Sequence, residues 1–331
     1  MFEQMIIETK NKKSYKPITI YWFIEKMKIQ DYINSDYSIL NNTNIWTLAK
    51  YEYLIKQLVS QCPQKYSSVN YTVETIHDRS VLMEFSNCIN KTLLLSNLDI
   101  DFPPPKPPFE YDAFFDVKKL PPNYENMSYC TKIDDTVIQL VEKNNNQVFA
   151  HAVSVNHSRI HMIPAGIFSR FNHFHLKRNV KKNLCYANFG LSCDRWFGNP
   201  RNIVLCDIQT KDFILKENVI STEVARRDFM NYDHFYEQIS QSKFSLCPRG
   251  CGIDTYRMWD CICLGCIPIV EKYGGYEAFT DLPILFIESI EDYGKLTEKY
   301  LQEKYEEMQA QKYDYKKLTF DYWVKIITSV L

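Results

Sequence analysis

The chain lacks a net charge: 39 Lys and Arg residues stand against 40 Asp and Glu, leaving −1 at pH 7. No basic field therefore awaits a nucleic acid, and no general attraction draws the protein to an anionic membrane. It also lacks a long apolar run. Nothing approaches the ~20 residues that a spanning helix requires, and the N-terminal MFEQMIIETKNKKSYK has no signal-peptide core. These absences predict a cytoplasmic protein with no nucleic-acid partner and no transmembrane segment.

What is present is globular. Apolar residues make up 45% and charged ones 24% of 331 residues, enough for two domains with a core each. Eleven cysteines raise the question of a disulfide scaffold, but the chain is too long and their surroundings too apolar for one. Cys247, Cys261, Cys263 and Cys266 fall in predicted core elements as small hydrophobes, with spacing unsuited to zinc.

Strand-like and helix-like segments alternate, which argues α/β. Ile18–Ile24 reads as a first strand, Thr47–Val59 as an amphipathic helix, and Val69–Ile76 and Thr92–Leu95 as short strands. The run FPPPKPPF from Phe102 reads as an ordered surface loop, with an SH3-type ligand as the alternative. A helix is predicted over Asp134–Lys143, a buried strand from Val148 to His151, and another strand over Arg159–Ile163. Beyond these come a strand over Asn183–Asn188, helices over Arg201–Lys216 and Tyr232–Ser240, and a strand over Leu282–Ile287. A charged helix over Glu291–Lys312 and an apolar one over Phe320–Val330 close the chain.

The most informative stretch is Lys243–Val270, KFSLCPRGCGIDTYRMWDCICLGCIPIV. It reads as strand, loop, helix and strand. Gly250 and Gly252 stand where the backbone turns sharply or approaches a ligand, Asp254-Thr255 reads as an N-cap, and Gly265 ends the helix. A helix N-terminus beside Arg249 and Arg257 suits a diphosphate, although glycines and caps are also ordinary at such junctions.

CPRGCGIDTYRMWDCICLGCIPIV resembles the nucleotide-sugar segment of exostosin-like glycosyltransferases, at Pro248, Gly250, Arg257, Asp260, Gly265, Cys266, Ile267 and Pro268. Cys251 and Tyr256 depart from that pattern. IHMIPAGI resembles the family's interdomain hinge, and NLCYAN its strand at the start of the second domain. The resemblance implies two Rossmann-like domains facing a cleft (GT-B-like), with a C-terminal helix crossing back to the first. The expected boundaries are 1–167 for the acceptor-side domain, 168–317 for the nucleotide-sugar domain and 318–331 for the terminal helix. It implies an inverting, metal-independent transferase without a cofactor, taking a nucleotide-sugar, expected to be UDP-linked, as co-substrate and a glycan or glycoprotein as acceptor. A non-catalytic carbohydrate- or nucleotide-binding protein that keeps the fold is the alternative.

Donor contacts are then expected from Asn188, Arg195, Arg249, Gly250, Gly252, Asp254, Thr255, Tyr256, Arg257, Asp260 and Glu271, the last on the ribose. An inverting transferase also requires a base for the acceptor hydroxyl. His151, at a predicted strand end, is the first candidate, with Asp101, Asp99 and His157 behind it. Asp99-Ile-Asp101 also has the form of a metal-holding Asp-x-Asp, but an ordinary acidic strand-end loop is the better reading of it.

Overall fold

The computed structural model describes residues 45–70, 80–96, 135–167, 179–191, 200–217, 231–250 and 252–330. The expected strand at 18–24, Asp99, Asp101, the proline-rich run, Arg195 and Cys251 lie outside the described residues.

Two parallel sheets organise the chain. The first, in the order β1-β2-β3-β4, is built from β1 (Tyr66–Asn70), β2 (Thr92–Ser96), β3 (Gln147–Ala150) and β4 (Ile160–Met162). The second has the order β6-β5-β7-β8-β9, from β5 (Asn183–Ala187), β6 (Ile214–Lys216), β7 (Ser242–Leu246), β8 (Ile267–Glu271) and β9 (Leu285–Ile287). Every pairing is parallel. Strands covered on both faces read as continuous apolar runs, and Leu93, Leu94 and Leu95 of β2 are fully buried accordingly. Each sheet is thus the centre of a Rossmann-like α/β unit.

Helices connect and cover the strands. The N-terminal unit carries α1 (Leu48–Gln61), α2 (Ser80–Asn87) and α3 (Thr136–Lys143). Helix α1 begins where the Thr47 side chain accepts from Lys50 N at 3.2 Å, an N-cap satisfying one orphan donor. The C-terminal unit carries α4 (Pro200–Ile208), α5 (Tyr232–Gln241), α6 (Tyr256–Cys263), α7 (Asp292–Lys295) and α8 (Glu298–Gln309). Gly265, at φ +69°, ends the α6 turn in a conformation that costs glycine little.

Two expected helices are corrected. Residues 201–216 are not one helix: α4 stops at Ile208, and Ile214–Lys216 pairs with β5 as an edge strand. Sheet pairing outweighs the local helical pattern there. The charged segment 291–312 is likewise split, because Thr297 caps a new helix, its side chain accepting from Tyr300 N at 3.2 Å.

The last helix, α9 (Phe320–Ser329), crosses back to the first unit. Trp46 stacks on Phe320 at 5.8 Å and tilts against Trp323 at 6.2 Å, while its backbone N–H donates to Leu318 O at 2.8 Å. The carboxyl ends of the two sheets face one another. Gly274 N and Gly275 N, just after β8, donate to Ser154 O and Val153 O, just after β3, both at 3.1 Å.

Candidate functional site

In the second sheet the chain runs from β5 outward to β6 and then returns to β7 on the other side of β5. Such a reversal opens a crevice beyond the carboxyl ends of the two inner strands, where α/β sheets place their ligands. The crevice here lies between the residues that follow β5, Asn188 to Leu191, and those that follow β7, Cys247 to Thr255.

Three arginines sit on the elements that border it. Arg249 is buried on the β7 loop, its guanidinium 6.0 Å from the Tyr273 ring centroid. Arg257, in the first turn of α6, lies over the Phe235 ring at 5.8 Å, and its enclosed Nε has no hydrogen-bond partner among the described residues. Burial lowers the Arg257 pKa, and the neighbouring charge of Arg201 lowers it further. Arg201 is the member that sequence reasoning missed. It opens α4 directly after Pro200, donating from Nε to Arg249 O and from Nη1 to Gly190 O, both at 2.8 Å. A proline at a helix start was legible; the reach of the next side chain to two distant loops was not.

The α6 N-terminus differs from the expected cap. Thr255 holds the N-cap conformation, yet its side chain makes no cap bond, and Oγ1 is enclosed without a partner among the described residues. Asp254 does not cap either. Its Oδ2 accepts from Ala165 N and its Oδ1 from Trp259 Nε1, each at 2.6 Å. Burial raises the Asp254 pKa to about 7, against the pull of those two donors. The first-turn N–H groups of α6 therefore keep the positive end of the helix dipole without a side-chain cap, beside Arg257 and the Thr255 hydroxyl.

Among the described residues, the remaining expected ones sit on α6, at the end of β8 or on the loops after β5 and β7. Gly250 N donates to Gly252 O at 3.0 Å, closing the loop, and Tyr256 starts the helix. Asp260 is buried one turn further on, where its charge adds to the burial that raises the Tyr236 phenol. Glu271 ends β8 and is buried, with Oε2 accepting from Tyr273 OH at 2.8 Å. Asn188 Nδ2 donates to Tyr186 OH at 2.7 Å, and that hydroxyl donates to Glu217 Oε2 at 3.1 Å. Beneath the site, Cys247 and Cys261 bring their sulfurs to 3.9 Å as free, buried thiols.

The first unit offers less. His151 follows β3 with 4% exposure, edge-on to Tyr51 at 5.1 Å. Its Nδ1 donates to Ile163 O at 3.1 Å, and Nε2 is enclosed without a partner among the described residues. Burial holds the imidazole neutral and lowers its pKa to about 4, so it is a weaker base than an ordinary histidine. His157 instead pairs with Glu142 at 3.1 Å, away from the arginines.

No family model matches the chain, and neither does any curated protein. Among solved structures the chain is similar to OtsA in its apo form, at 11% identity and a TM-score of 0.38, over 85% of this chain and 76% of that one. It is also similar to the trehalose-6-phosphate synthase OtsA, at 9% identity and 0.37, over 86% and 76%. A third similar structure is a UDP-forming alpha,alpha-trehalose-phosphate synthase from Burkholderia vietnamiensis, at 11% and 0.37, over 86% and 79%. At these distances the likenesses leave the substrate of this chain to be argued from its own residues.

Proposed function

We propose that the protein is a glycosyltransferase that moves a sugar from a nucleoside-diphosphate sugar, UDP-linked, to a carbohydrate hydroxyl, by inversion and without a metal. The observation that carries this reading is the Arg257 guanidinium at the start of α6, where its enclosed Nε and the adjacent Thr255 hydroxyl have no partner among the described residues. A leaving diphosphate would supply the missing acceptors. Charge develops on it in the transition state, where preorganised donors act most strongly.

Arg249, Arg257 and the backbone N–H groups from Gly252 to Thr255 take the diphosphate in this reading. Glu271 takes the ribose, Asp260 and Tyr256 shape the nucleotide side, and Asn188 borders the loop after β5. Resemblance of Gly265-Cys-Ile-Pro-Ile-Val270 to the exostosin-like segment supports this division of labour. The acceptor is a glycan or glycoprotein on the side of the first unit, with His151 or Asp101 as its base.

One observation favours the second reading, a nucleotide- or carbohydrate-binding protein without turnover: His151 is enclosed and weakly basic. Calorimetry with UDP and GDP, followed by donor hydrolysis assays, separates the two. Nucleotide binding with donor turnover, both lost in Arg257→Ala, is the expected result. Binding without turnover of any donor points to the second reading, and unchanged binding and turnover in Arg257→Ala overturns the site.

A further inference from the structure

Arg201 is placed to do more than pack. Its helix, α4, enters the second unit after β5, and its side chain passes between the two loops that border the crevice. One nitrogen holds Gly190 O after β5 and another holds Arg249 O after β7, both at 2.8 Å. These strands flank the point where the strand order reverses, so Arg201 fixes the width of the crevice at its two walls. A guanidinium suits this task because its planar fork donates in two directions at once, and 7% exposure keeps it from drifting into solvent.

Gly250 is matched to it. A Cβ built on Gly250 would lie 2.9 Å from Arg201 Nη2 and 3.6 Å from its Cζ. Gly250 does not occupy the left-handed region, so the backbone itself tolerates alanine there. The missing side chain makes room for the guanidinium. This sharpens the expectation that Gly250 allows close approach of a ligand, because the group approaching it is an arginine of the same chain. That arginine lies close enough to Arg257 for the two like charges to oppose each other.

From this geometry we infer that Arg201 is the positioning residue of the diphosphate site, holding the Arg249 loop in register with the loop after β5, and that Gly250 is glycine to admit it. The inference rests on the nucleotide-sugar reading above and deepens it. Arg201 adds to the affinity for the diphosphate and leaves the nucleoside contacts alone.

The test compares UDP with uridine by calorimetry on the full chain, for the wild type, Arg201→Met, Gly250→Ala and the double variant. Arg201→Met is expected to weaken UDP on the order of 10–100-fold, the range for hydrogen bonds to a charged group, with uridine within about twofold of the wild type. Gly250→Ala is expected to weaken UDP in the same selective way, since the added methyl displaces only the flexible end of Arg201. The double variant should bind UDP no worse than Arg201→Met, because both changes remove one arrangement. Gly250→Ala keeps the test alive should Arg201→Met not fold. UDP affinity at the wild-type level in either single variant, parallel losses of UDP and uridine, or additive losses in the double variant each overturn the inference while the donor-site reading stands. A wild type that binds no UDP overturns both.

Discussion

Asp254 accepts a hydrogen bond from the backbone N–H of Ala165 at 2.6 Å, so a carboxyl group of the loop after β7 holds the Ile-Pro-Ala-Gly-Ile segment. The second oxygen of the same carboxylate accepts from Trp259 Nε1, fixing the start of α6. The residue that sequence alone casts as a helix cap is a link to the segment after β4. It sets the loop after β7 against the first unit and makes the junction sensitive to substitution and pH.

Asp254→Asn keeps the shape but leaves one oxygen for two donors, so either Ala165 N or Trp259 Nε1 faces an NH2 group. Leaving one donor unsatisfied costs about 1–3 kcal/mol. The pH sign follows from a folded pKa of about 7, raised from 3.8. The wild-type contribution is fully present below the unfolded value and is lost as pH rises through 7. Urea unfolding across this range should therefore show the deficit of Asp254→Asn shrinking as pH rises; a deficit independent of pH contradicts the assignment.

His151 runs the other way. Its folded pKa of about 4 lies below the ordinary 6.5, so the unfolded chain binds the extra proton between them. Stability is retained above 6.5 and falls as pH drops toward 4, by about 3 kcal/mol in all. His151→Gln should flatten this acid limb in thermal melts taken across the window. An unchanged limb places the acid sensitivity elsewhere.

Gly275→Ala tests the contact between the facing sheet ends. A Cβ there would sit 2.3 Å from Val153 O and 2.9 Å from Met162 Sδ. Backbone cannot yield cheaply, so the two units must separate at this edge, at a cost of about 1–3 kcal/mol. Hydrogen exchange should show faster exchange at Gly274 and Gly275 N–H, the donors to Ser154 O and Val153 O. Wild-type protection at both sites would mean the contact adjusts without opening.

Trp46→Ala removes the side chain that receives α9. Trp46 is buried, stacks on Phe320 at 5.8 Å and donates from Nε1 to Pro164 O at 2.7 Å. Loss of its packing and the orphaned carbonyl should cost about 3–5 kcal/mol. Denaturant unfolding measures this, and a cost under about 1 kcal/mol shows that α9 is held by other contacts.

Much of the fold was legible before any coordinates. The apolar run TLLLS gives a buried parallel strand because leucines covered on both faces need no alternation. Thr47 marks a helix start because its hydroxyl satisfies an orphan N–H from three residues away, a purely local arrangement. Local patterns failed where a distant partner decided. Ile214–Lys216 carries a helix-compatible pattern and became a strand only because β5 offered an edge.

The loop after β7 divides in the same way. Arg249, Gly250 and Arg257 are legible as lying between an apolar strand and a helix, since strand, turn and helix signals all act within a few residues. In the folded chain, by contrast, Asp254 faces Ala165 in place of the helix N-terminus, Gly250 opposes Arg201, and His151 is enclosed. Each of these is set by contact between segments far apart in the chain. Burial and partners shift a side chain's pKa and direction by amounts that no neighbouring residue encodes.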